Sequence, residues 1–325
     1  MRIHLAPMEG VIDYLVRDIL TQTKGIDQCV TEFVRVVDQP LPRRVFRRFC
    51  PELENQCRTP SGVPVKLQLL GGQPEPMAEN ARRAVRAGAQ AIDLNFGCPA
   101  KTVNKSDGGA CLLRDPNRVF NIVSAVRNAV PSDIPVSAKI RLGFADRSNY
   151  MDNARACEDA GADELAVHAR SKADGYKPPA YWECIGEIKQ KLTIPVIANG
   201  EIWSVEDYKK CRAQSGCDDI MLGRGLLACP NLAQQIKAYL TGTHSSPMTW
   251  HQACQILHHY FRISLPIYPQ KHAGNRIKQW LMYLRLNYPE ARDFFEAIKR
   301  ERNPQALEAA FQRQLADTTD ARIRA

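Results

Sequence analysis

Residues 195–225, PVIANGEIWSVEDYKKCRAQSGCDDIMLGRG, contain two short apolar runs separated by one amphipathic stretch. The runs at 196–199 and 220–223 have the length and apolar character of buried β-strands. Between them, residues 205–215 have helical periodicity and end before a glycine, a common helix terminus. A strand, a helix and a second strand in this order predict the βαβ unit of a parallel sheet.

The same alternation of strand and helix extends over the first 240 residues. Eight strands are predicted, at 3–7, 29–33, 65–70, 91–95, 136–141, 165–169, 196–199 and 220–223. Helical patterns lie between them, for example at 77–86, 119–129, 151–160 and 205–215. Eight strand–helix units in about this length are typical of an α/β fold, the (β/α)8 TIM barrel. An open, doubly wound sheet is the alternative, although no Gly-x-Gly-x-x-Gly motif follows the first strand.

After residue 242 the pattern changes from alternating strands and helices to helices alone. Residues 243–247, THSSP, are polar and predict a linker. Helical patterns follow at 250–264, 275–286, 291–299 and 304–315. We therefore predict two domains, a catalytic barrel over residues 1–242 and a small helical bundle over residues 243–325.

Composition and cysteine spacing restrict the class of protein. The chain has 325 residues, 44% of them hydrophobic, yet no stretch approaches the roughly 20 apolar residues that span a bilayer. The acidic residue Glu9 interrupts the N-terminal region before an apolar segment of the length found in signal peptides can form. The 11 cysteines form no Cys-x-x-Cys pair and no cluster with zinc-ligand spacing. We expect a cytoplasmic protein with reduced thiols and no metal, membrane anchor or obligate protein partner.

The formal net charge of +9 is unevenly distributed. Residues 231–325 contain 13 Lys+Arg and 7 Asp+Glu, whereas the first 230 residues contain 31 and 28. A second basic cluster comprises Arg43, Arg44, Arg47 and Arg48. Solvated helix faces would give the same pattern. An excess of positive charge in a separate helical region also favours a polyanionic partner such as a nucleic acid.

Glycines and one arginine follow the last two predicted strands, where the loops of a (β/α)8 barrel commonly bind phosphate. Gly200 follows strand seven, and Gly223 and Gly225 enclose Arg224 after strand eight. Glycine lets backbone N–H groups approach an anion closely, and the Arg224 guanidinium would add a charged contact. Ordinary tight turns are the alternative for each motif alone. Their joint occurrence at these two strand ends favours a phosphate site.

Lys139 and His168 lie on the neighbouring predicted strands five and six. A lysine inside a buried strand is costly unless it is paired or functional, whereas a lone histidine in a strand is usually a satisfied core residue. Together they would place positive charge beside an electron-rich ring such as a reduced flavin. Gln68 and Asn199, on two other strands, can supply further hydrogen bonds.

Cys98 lies in a loop after strand four, between Gly97 and Pro99. A thiol can donate a proton at neutral pH, as a general acid must. The polar loop at 102–109 follows, and its two glycines at the end suit a segment that moves. One more incidental cysteine among 11 is the alternative. The position at a strand end favours a catalytic role.

At these residues the chain resembles the tRNA-dihydrouridine synthases, and the resemblance extends over nearly the whole length. The matching segments are 6–8 (APM), 93–99 (DLNFGCP), 168–170 (HAR), 195–200 (PVIANG) and 223–225 (GRG). The segment DLNFGCP, followed by Lys101 and Val103, is specific to the family, and the others are shared more widely among flavin barrels. Residues 32–36 (EFVRV) and 275–281 (NRIKQWL) are most similar to the bacterial C subfamily, whose target is uridine 16.

The resemblance implies an FMN-binding barrel followed by a helical tRNA-binding domain. It implies that NADPH reduces FMN, that hydride passes to C6 of a D-loop uracil, and that Cys98 protonates C5. FMN contacts are implied for Pro7, Met8, Glu9, Gln68, Lys139, His168, Asn199, Gly200, Glu201, Gly223 and Arg224. Contacts with tRNA are implied for Arg35, Asn95, Arg276, Lys278 and Lys299, with Asn95 near the target base.

The chain departs from the family pattern in two loops. The family often has Arg-Thr and a Gln after the histidine of strand six, whereas here Arg170 precedes Ser171 and no Gln occurs up to Tyr176. In the active-site loop, Lys105 and Asp107 stand where small residues are frequent. The first departure concerns the substrate loop. The second would change the mobility of the active-site loop or the reaction rate, but it leaves Cys98 in place.

Two other functions remain open on the sequence alone. One is an FMN barrel that reduces a free small molecule such as a pyrimidine or an enone. That function leaves the basic helical region without a purpose. The other is a non-catalytic RNA-binding protein that retains an old barrel. Failure to bind FMN would favour it, whereas the presence of Cys98, Lys139 and His168 disfavours it.

Overall fold

The computed structural model describes residues 1–323, with side chains for residues 1–270 and 272–316. Its strands form one closed parallel sheet in the order β2-β1-β9-β8-β7-β6-β5-β4-β3, and β2 also pairs with β4. The strands are β1 (Ile3–Leu5), β2 (Gln28–Val30), β3 (Val34–Arg35), β4 (Val65–Leu70), β5 (Ile92–Asn95), β6 (Val136–Arg141), β7 (Glu164–His168), β8 (Val196–Asn199) and β9 (Ile220–Leu222). Closure confirms the predicted barrel and excludes the open sheet.

The second position of the barrel is shared by two short strands. Cys29 of β2 pairs with Val65, and Val34 of β3 pairs with Leu69, so both strands lie along β4. Between them, the Gln68 N–H donates to the Thr31 side-chain hydroxyl at 3.0 Å instead of to a backbone carbonyl. The predicted single strand at 29–33 is therefore wrong at its C-terminal end, because a side chain replaces one bond of the ladder.

The helices surround the barrel. Those of the barrel region are α1 (Tyr14–Gln22), α2 (Arg43–Phe49), α3 (Pro74–Arg86), α4 (Lys101–Lys105), α5 (Pro116–Ala129), α6 (Tyr150–Asp159), α7 (Trp182–Lys191), α8 (Val205–Ser215), α9 (Arg224–Ala228) and α10 (Leu232–Leu240). Short 3-10 helices lie at Pro51–Asn55, Gly109–Arg114 and Gln270–His272. The four predicted helices are confirmed, and α3 and α5 begin three residues earlier than predicted, each with a proline in its first turn.

The chain after the barrel is helical, as predicted. Residues 243–249 have no regular structure, and α11 (Trp250–Ser264), α12 (Asn275–Leu284), α13 (Pro289–Ile298) and α14 (Pro304–Ile323) follow. These helices share one continuous apolar core with the barrel. Trp280 also donates its indole N–H to the Leu227 carbonyl of α9 at 3.0 Å. The division into separate domains at residue 242 stays a prediction. Buried contacts cross this boundary.

Asp13 joins the barrel to the C-terminal helices. One of its carboxylate oxygens caps α1 by accepting from the Val16 N–H at 3.0 Å. The other accepts from the hydroxyls of Tyr260 and Tyr268, at 3.0 and 2.5 Å. Tyr260 is fully buried, so its hydroxyl has no access to water as a substitute acceptor.

The cysteines and the acidic residues form no cross-link or metal cluster in the part of the chain that the structure describes. All 11 cysteines are free thiols, most of them buried. No group of three or more His, Cys, Asp and Glu side chains in that part is arranged to hold a metal ion. None of its helices is both long enough and apolar enough to cross a membrane.

Replacing Asp13 by alanine is expected to lower the free energy of unfolding by about 2–4 kcal/mol, because two tyrosine hydroxyls lose their acceptor and α1 loses its cap. Asp18→Ala, on the same helix but on its solvent side, serves as the control, with an expected change of about 0.5 kcal/mol or less. Urea denaturation followed by tyrosine and tryptophan fluorescence measures both. Equal midpoints for the two variants would contradict this role of Asp13.

Candidate active site

A cavity of about 620 Å³ opens at the C-terminal ends of the barrel strands. This volume suits a cofactor-sized ligand. The predicted catalytic and cofactor-binding residues all line it, as does Asn95: Pro7, Met8, Glu9, Gln68, Cys98, Lys139, His168, Asn199, Gly200, Glu201, Gly223 and Arg224. They are distant in sequence, and the barrel brings them together because its parallel strands all end at this face.

Backbone N–H groups without partners lie on one side of the cavity. Within the described residues, the N–H groups of Gly200, Glu201, Gly223 and Arg224 make no hydrogen bond. Gly200 has φ +117°, a conformation that L side chains rarely adopt, and Gly225 packs so closely that a Cβ would lie 2.2 Å from the Ile202 carbonyl oxygen. Unpaired N–H groups converging in a cavity are suited to binding an anion such as phosphate.

Glu201 organises the charges behind these N–H groups. Its carboxylate forms an ion pair with the Arg170 guanidinium at 2.6 Å and accepts a hydrogen bond from the Arg224 guanidinium at 3.2 Å. The Trp203 indole N–H donates to the same carboxylate at 3.0 Å. Arg170 is fully buried, so its charge requires this partner. Two cations around one carboxylate leave a net positive charge, which favours an anionic ligand.

Lys139 projects its ammonium into the cavity from β6. Among the described residues it has no hydrogen-bond or ion-pair partner. Burial, together with the nearby Arg141 cation, lowers its pKa to about 8, while Asp93 opposes the shift. An unpaired, partly desolvated cation is suited to an electron-rich or anionic ligand, whose charge it would stabilise.

His168 lies at the end of β7, next to Asn199, which follows on β8. Burial and then the cations of Arg141 and Lys139 hold its pKa well below the usual value, so the imidazole is neutral. An Arg141 guanidinium nitrogen lies 3.5 Å from its Nδ1. Since arginine can only donate, Nδ1 accepts and Nε2 carries the proton. His168 therefore has an N–H donor at Nε2, on the side where Gly200 lies.

Asn95 holds the loop that carries Cys98. Its side-chain oxygen accepts from the N–H groups of Gly97 and Cys98, each at 2.9 Å. The Cys98 carbonyl accepts in turn from the Asn104 amide at 3.0 Å. Burial raises the pKa of the Cys98 thiol, although the Ala100 N–H opposes this. The thiol is therefore protonated at neutral pH and can act as an acid.

The end of the same loop is fastened to α5. The Arg118 guanidinium contacts both carboxylate oxygens of Asp107, at 2.7 and 2.5 Å, and also donates to the Gly72 carbonyl at 3.1 Å. Asp107 has φ +58°, and a Cβ at Gly72 would lie 1.8 Å from its carbonyl oxygen. The unusual Asp107 thus has a structural partner, whereas no contact in the structure explains Lys105.

Several lining residues were not assigned a role from the sequence. Arg141, Tyr176, Trp203 and Tyr283 are among them. Tyr176 is 52% exposed, and its ring lies over the guanidinium carbons of Arg141 and Arg224, at 5.2 and 4.7 Å. A strand-end position was the available signal for Arg141. No local pattern indicates that Tyr283 of α12 reaches the barrel cavity.

The basic residues predicted to contact tRNA are placed differently from one another. Arg35 is exposed at the end of β3, and its charge acts on Glu9 and Cys98, so it lies near the cavity. Arg276 donates to the Gly10 carbonyl, and Lys278 donates to the Glu301 carbonyl. Lys299 is exposed and pairs with Glu296. Arg276 contacts the loop that carries Glu9 and Val11 of the cavity lining, and Arg35 acts on Glu9 and Cys98.

Comparison with known proteins agrees with this geometry. The family model described as "Dihydrouridine synthase (Dus)" matches residues 4–317. The chain belongs to the dihydrouridine synthase family. Members of this family are flavin-dependent oxidoreductases that reduce uridine in tRNA. The assignment as an oxidoreductase of this family, made from the strand-end motifs, is confirmed.

Curated relatives are similar over nearly their whole length. A tRNA-dihydrouridine(16) synthase of Shewanella oneidensis is 54% identical, covering 92% of this chain and 93% of the relative. Those of Pseudomonas syringae pv. tomato and Escherichia coli O157:H7 are 50% and 48% identical, covering 93% and 96% of this chain and 95% and 98% of the relatives. Among solved structures, a mandelate oxidase aligns over 74% of each chain with 19% identity and a TM-score of 0.48.

Flavin affinity is expected to fall as the pH rises above about 8, the pKa of Lys139 without a ligand. An electron-rich ligand raises that pKa, so the favourable charge contribution is complete below pH 8 and lost above the raised value. Fluorescence titration of apoprotein with flavin at about pH 7 and about pH 10 should give a roughly tenfold difference in Kd. In Lys139→Met the difference should shrink to the part that the flavin itself contributes. An unchanged pH dependence in this variant would contradict the placement of Lys139.

Proposed function

We propose that this protein reduces uridine 16 of tRNA to 5,6-dihydrouridine, with FMN as the bound cofactor and NADPH as the reductant, in the cytoplasm. The observation that carries the proposal is the cavity itself. It combines a protonated thiol at Cys98 with an unpaired cation at Lys139 and a set of unpaired backbone N–H groups. The specificity for position 16 rests on the names of relatives that are about half identical to this chain.

The residues of the cavity fit FMN. The unpaired N–H groups of Gly200, Glu201, Gly223 and Arg224 would hold the phosphate, with added charge from the Arg224 guanidinium. The flavin ring would lie among Pro7, Met8, Glu9, Gln68, Lys139, His168 and Asn199. When bound and reduced by NADPH, FMN supplies the hydride that adds to C6 of the uracil ring.

Lys139 and His168 would tune the flavin electronically. The Lys139 ammonium and the N–H at Nε2 of His168 are both donors, and both lie at the cavity. Negative charge that develops on the ring system during reduction is stabilised by donors that are already in place. Because the imidazole is neutral, His168 contributes a hydrogen bond without a full charge.

Cys98 would complete the reaction by protonating C5 of the base. Its sulfur–hydrogen bond breaks as the new C5–H bond forms, and the thiolate is left to regain a proton from solvent. The raised pKa keeps the thiol protonated before this step. Asn95 makes three of its hydrogen bonds within the protein, which leaves one amide N–H to contact a carbonyl oxygen of the base.

Basic residues outside the cavity would bind the RNA backbone. Arg35, Arg276, Lys278 and Lys299 are candidates for phosphate contacts, which orient a nucleic acid without reading its sequence. The C-terminal region over residues 243–325 would act as the tRNA-binding domain. The target base is stacked inside folded tRNA, so it must be extruded to enter the cavity. Of these residues, Arg276 contacts Gly10 beside the cavity lining and Arg35 acts electrostatically on Cys98, which suits both for contacts close to the target base.

Mass spectrometry of unmodified tRNA incubated with the protein, FMN and NADPH tests the proposal. We expect one D-loop uridine to gain two hydrogens, and fragment mapping should place the gain at position 16. Cys98→Ala should lose most of this activity, by about a hundredfold or more, because it removes the general acid. Cys111→Ala, the change of a half-buried cysteine outside the cavity, is the matched control and should retain activity.

Two outcomes would contradict the proposal. If tRNA gains no mass although the protein binds FMN and NADPH reduces it, reduction of tRNA is contradicted, and reduction of a free small molecule is favoured instead. A gain that is equal in Cys98→Ala and in Cys111→Ala would keep the reaction but remove Cys98 as the acid.

A further inference from the structure

Asp93 lies inside the barrel on β5, buried below the floor of the cavity. One of its carboxylate oxygens accepts from the Ser137 hydroxyl at 2.6 Å. The other accepts from the side-chain NH2 of Gln68 at 2.7 Å. Burial raises the pKa of Asp93, and the nearby Lys66 cation opposes the shift. Asp93 is thus a buried acceptor with donors on both sides, and it does not touch the cavity.

A chain of side-chain amides connects Asp93 to the loop of Cys98. The Gln68 NH2 group faces Asp93, so its oxygen faces away and accepts from the Asn95 NH2 group at 2.8 Å. The Asn95 oxygen is then free to accept the N–H groups of Gly97 and Cys98. Every donor in this chain points towards Asp93.

The direction of this chain is not fixed by the amides themselves. A side-chain amide has nearly the same shape when its oxygen and nitrogen are exchanged, so Gln68 and Asn95 would fit in either orientation. In the reversed orientation, the Asn95 NH2 group would face the N–H groups of Gly97 and Cys98, donor against donor. A carboxylate has no N–H to offer, so a carboxylate at position 93 permits only the observed direction.

We propose that Asp93 is a positioning residue, which fixes the orientation of the Gln68 and Asn95 amides and through them holds the backbone of Cys98 in place. This proposal rests on the assigned role of Cys98 as the acid. A group that protonates a carbon must be aligned with the atom it protonates, and small displacements lower the rate. The carboxylate of Asp93 therefore positions Cys98, the acid of the active site, through the two side chains that lie between them.

Asp93→Asn alone is an incomplete test, because the Ser137 hydroxyl can switch from donor to acceptor and so preserve the direction of the hydrogen bonds. The new amide at position 93 could donate to the Ser137 oxygen, while the Ser137 hydroxyl turned to the Ile92 carbonyl, 3.4 Å away. Gln68 would then keep its orientation. Ser137→Ala removes this acceptor and leaves the donor Lys66 on that side. In the double variant Ser137→Ala/Asp93→Asn, the amide oxygen at position 93 faces Lys66 and its NH2 group faces Gln68. The direction of the hydrogen bonds through the Gln68 and Asn95 amides is then reversed.

The measurement is amide hydrogen exchange of Gly97 and Cys98 in the flavin-loaded protein, resolved by mass spectrometry of short peptides. Ser137→Ala is the control, because Asp93 still accepts from Gln68, and exchange should match the wild type. In the double variant, exchange at these two amides should rise about tenfold or more, since both lose their acceptor. Turnover number should fall by a similar factor, while KM for tRNA, which depends mainly on phosphate contacts, should stay within about threefold.

A triple variant restores the direction without restoring Asp93. Adding Gln68→Glu to the double variant places an acceptor-only carboxylate between the amide at position 93 and that of Asn95, so both amides donate to it and Asn95 regains its orientation. We expect amide protection of Gly97 and Cys98 to return to within about threefold of the control. A merely structural role of Asp93 would not be rescued by a charge placed at position 68.

Equal exchange in the control and the double variant would overturn the proposal. If the double variant does not fold, the triple variant decides: recovered protection supports the proposal, and absent protection overturns it. Amide exchange does not depend on turnover. A failure of the proposed uridine reduction would therefore leave the exchange result intact, and the two failures are distinguishable.

Discussion

The pairing of β2 with both β1 and β4 is the constraint on which the rest of the structure depends. It closes the sheet, and a closed parallel sheet places the C-terminal ends of all its strands around one opening. Residues as distant in sequence as Met8, Cys98 and Arg224 then line one cavity. Closure also creates an interior without access to water, where polar side chains must satisfy one another.

The interior of the barrel is consequently a connected polar system below the cavity. At the lower end, Lys66 pairs with Glu164 and donates to Ser137 at 3.3 Å. The chain continues through Asp93 and the Gln68 and Asn95 amides to the loop of Cys98. Buried polar networks of this kind carry a high cost for any unpaired member, so each residue restricts the orientation of the next. The charge at Lys139 stays outside this network, which leaves it available to a ligand.

The strand ends were predictable from the sequence because buried strands are short apolar runs, and the polar residues that follow them stand out. Cys98, Lys139, His168 and the glycines after β8 and β9 were found in this way. The interruption between β2 and β3 was not, because it depends on one hydrogen bond from Gln68 to the Thr31 hydroxyl, which leaves no local pattern. Tyr283 was not predicted for a related reason: its place at the cavity follows from how α12 packs on the barrel.

Other features required the three-dimensional contacts. The link between Asp13 and two tyrosines of the C-terminal helices spans more than 240 positions of sequence. The role of Asp107 also changed in this light. As a departure from the family pattern it raised a question about loop mobility, and the structure gives it a bidentate partner in Arg118.

We propose above that reduced flavin bound in this cavity delivers hydride to uridine 16. The most direct measurement is rapid mixing, without oxygen, of the flavin-reduced protein with unmodified tRNA, followed by the visible absorbance of oxidised flavin. Two transcripts are compared, one with uridine and one with cytidine at position 16. We expect flavin absorbance to return with the uridine transcript and to stay low with the cytidine transcript. Equal recovery with both transcripts, or recovery with neither, would contradict it.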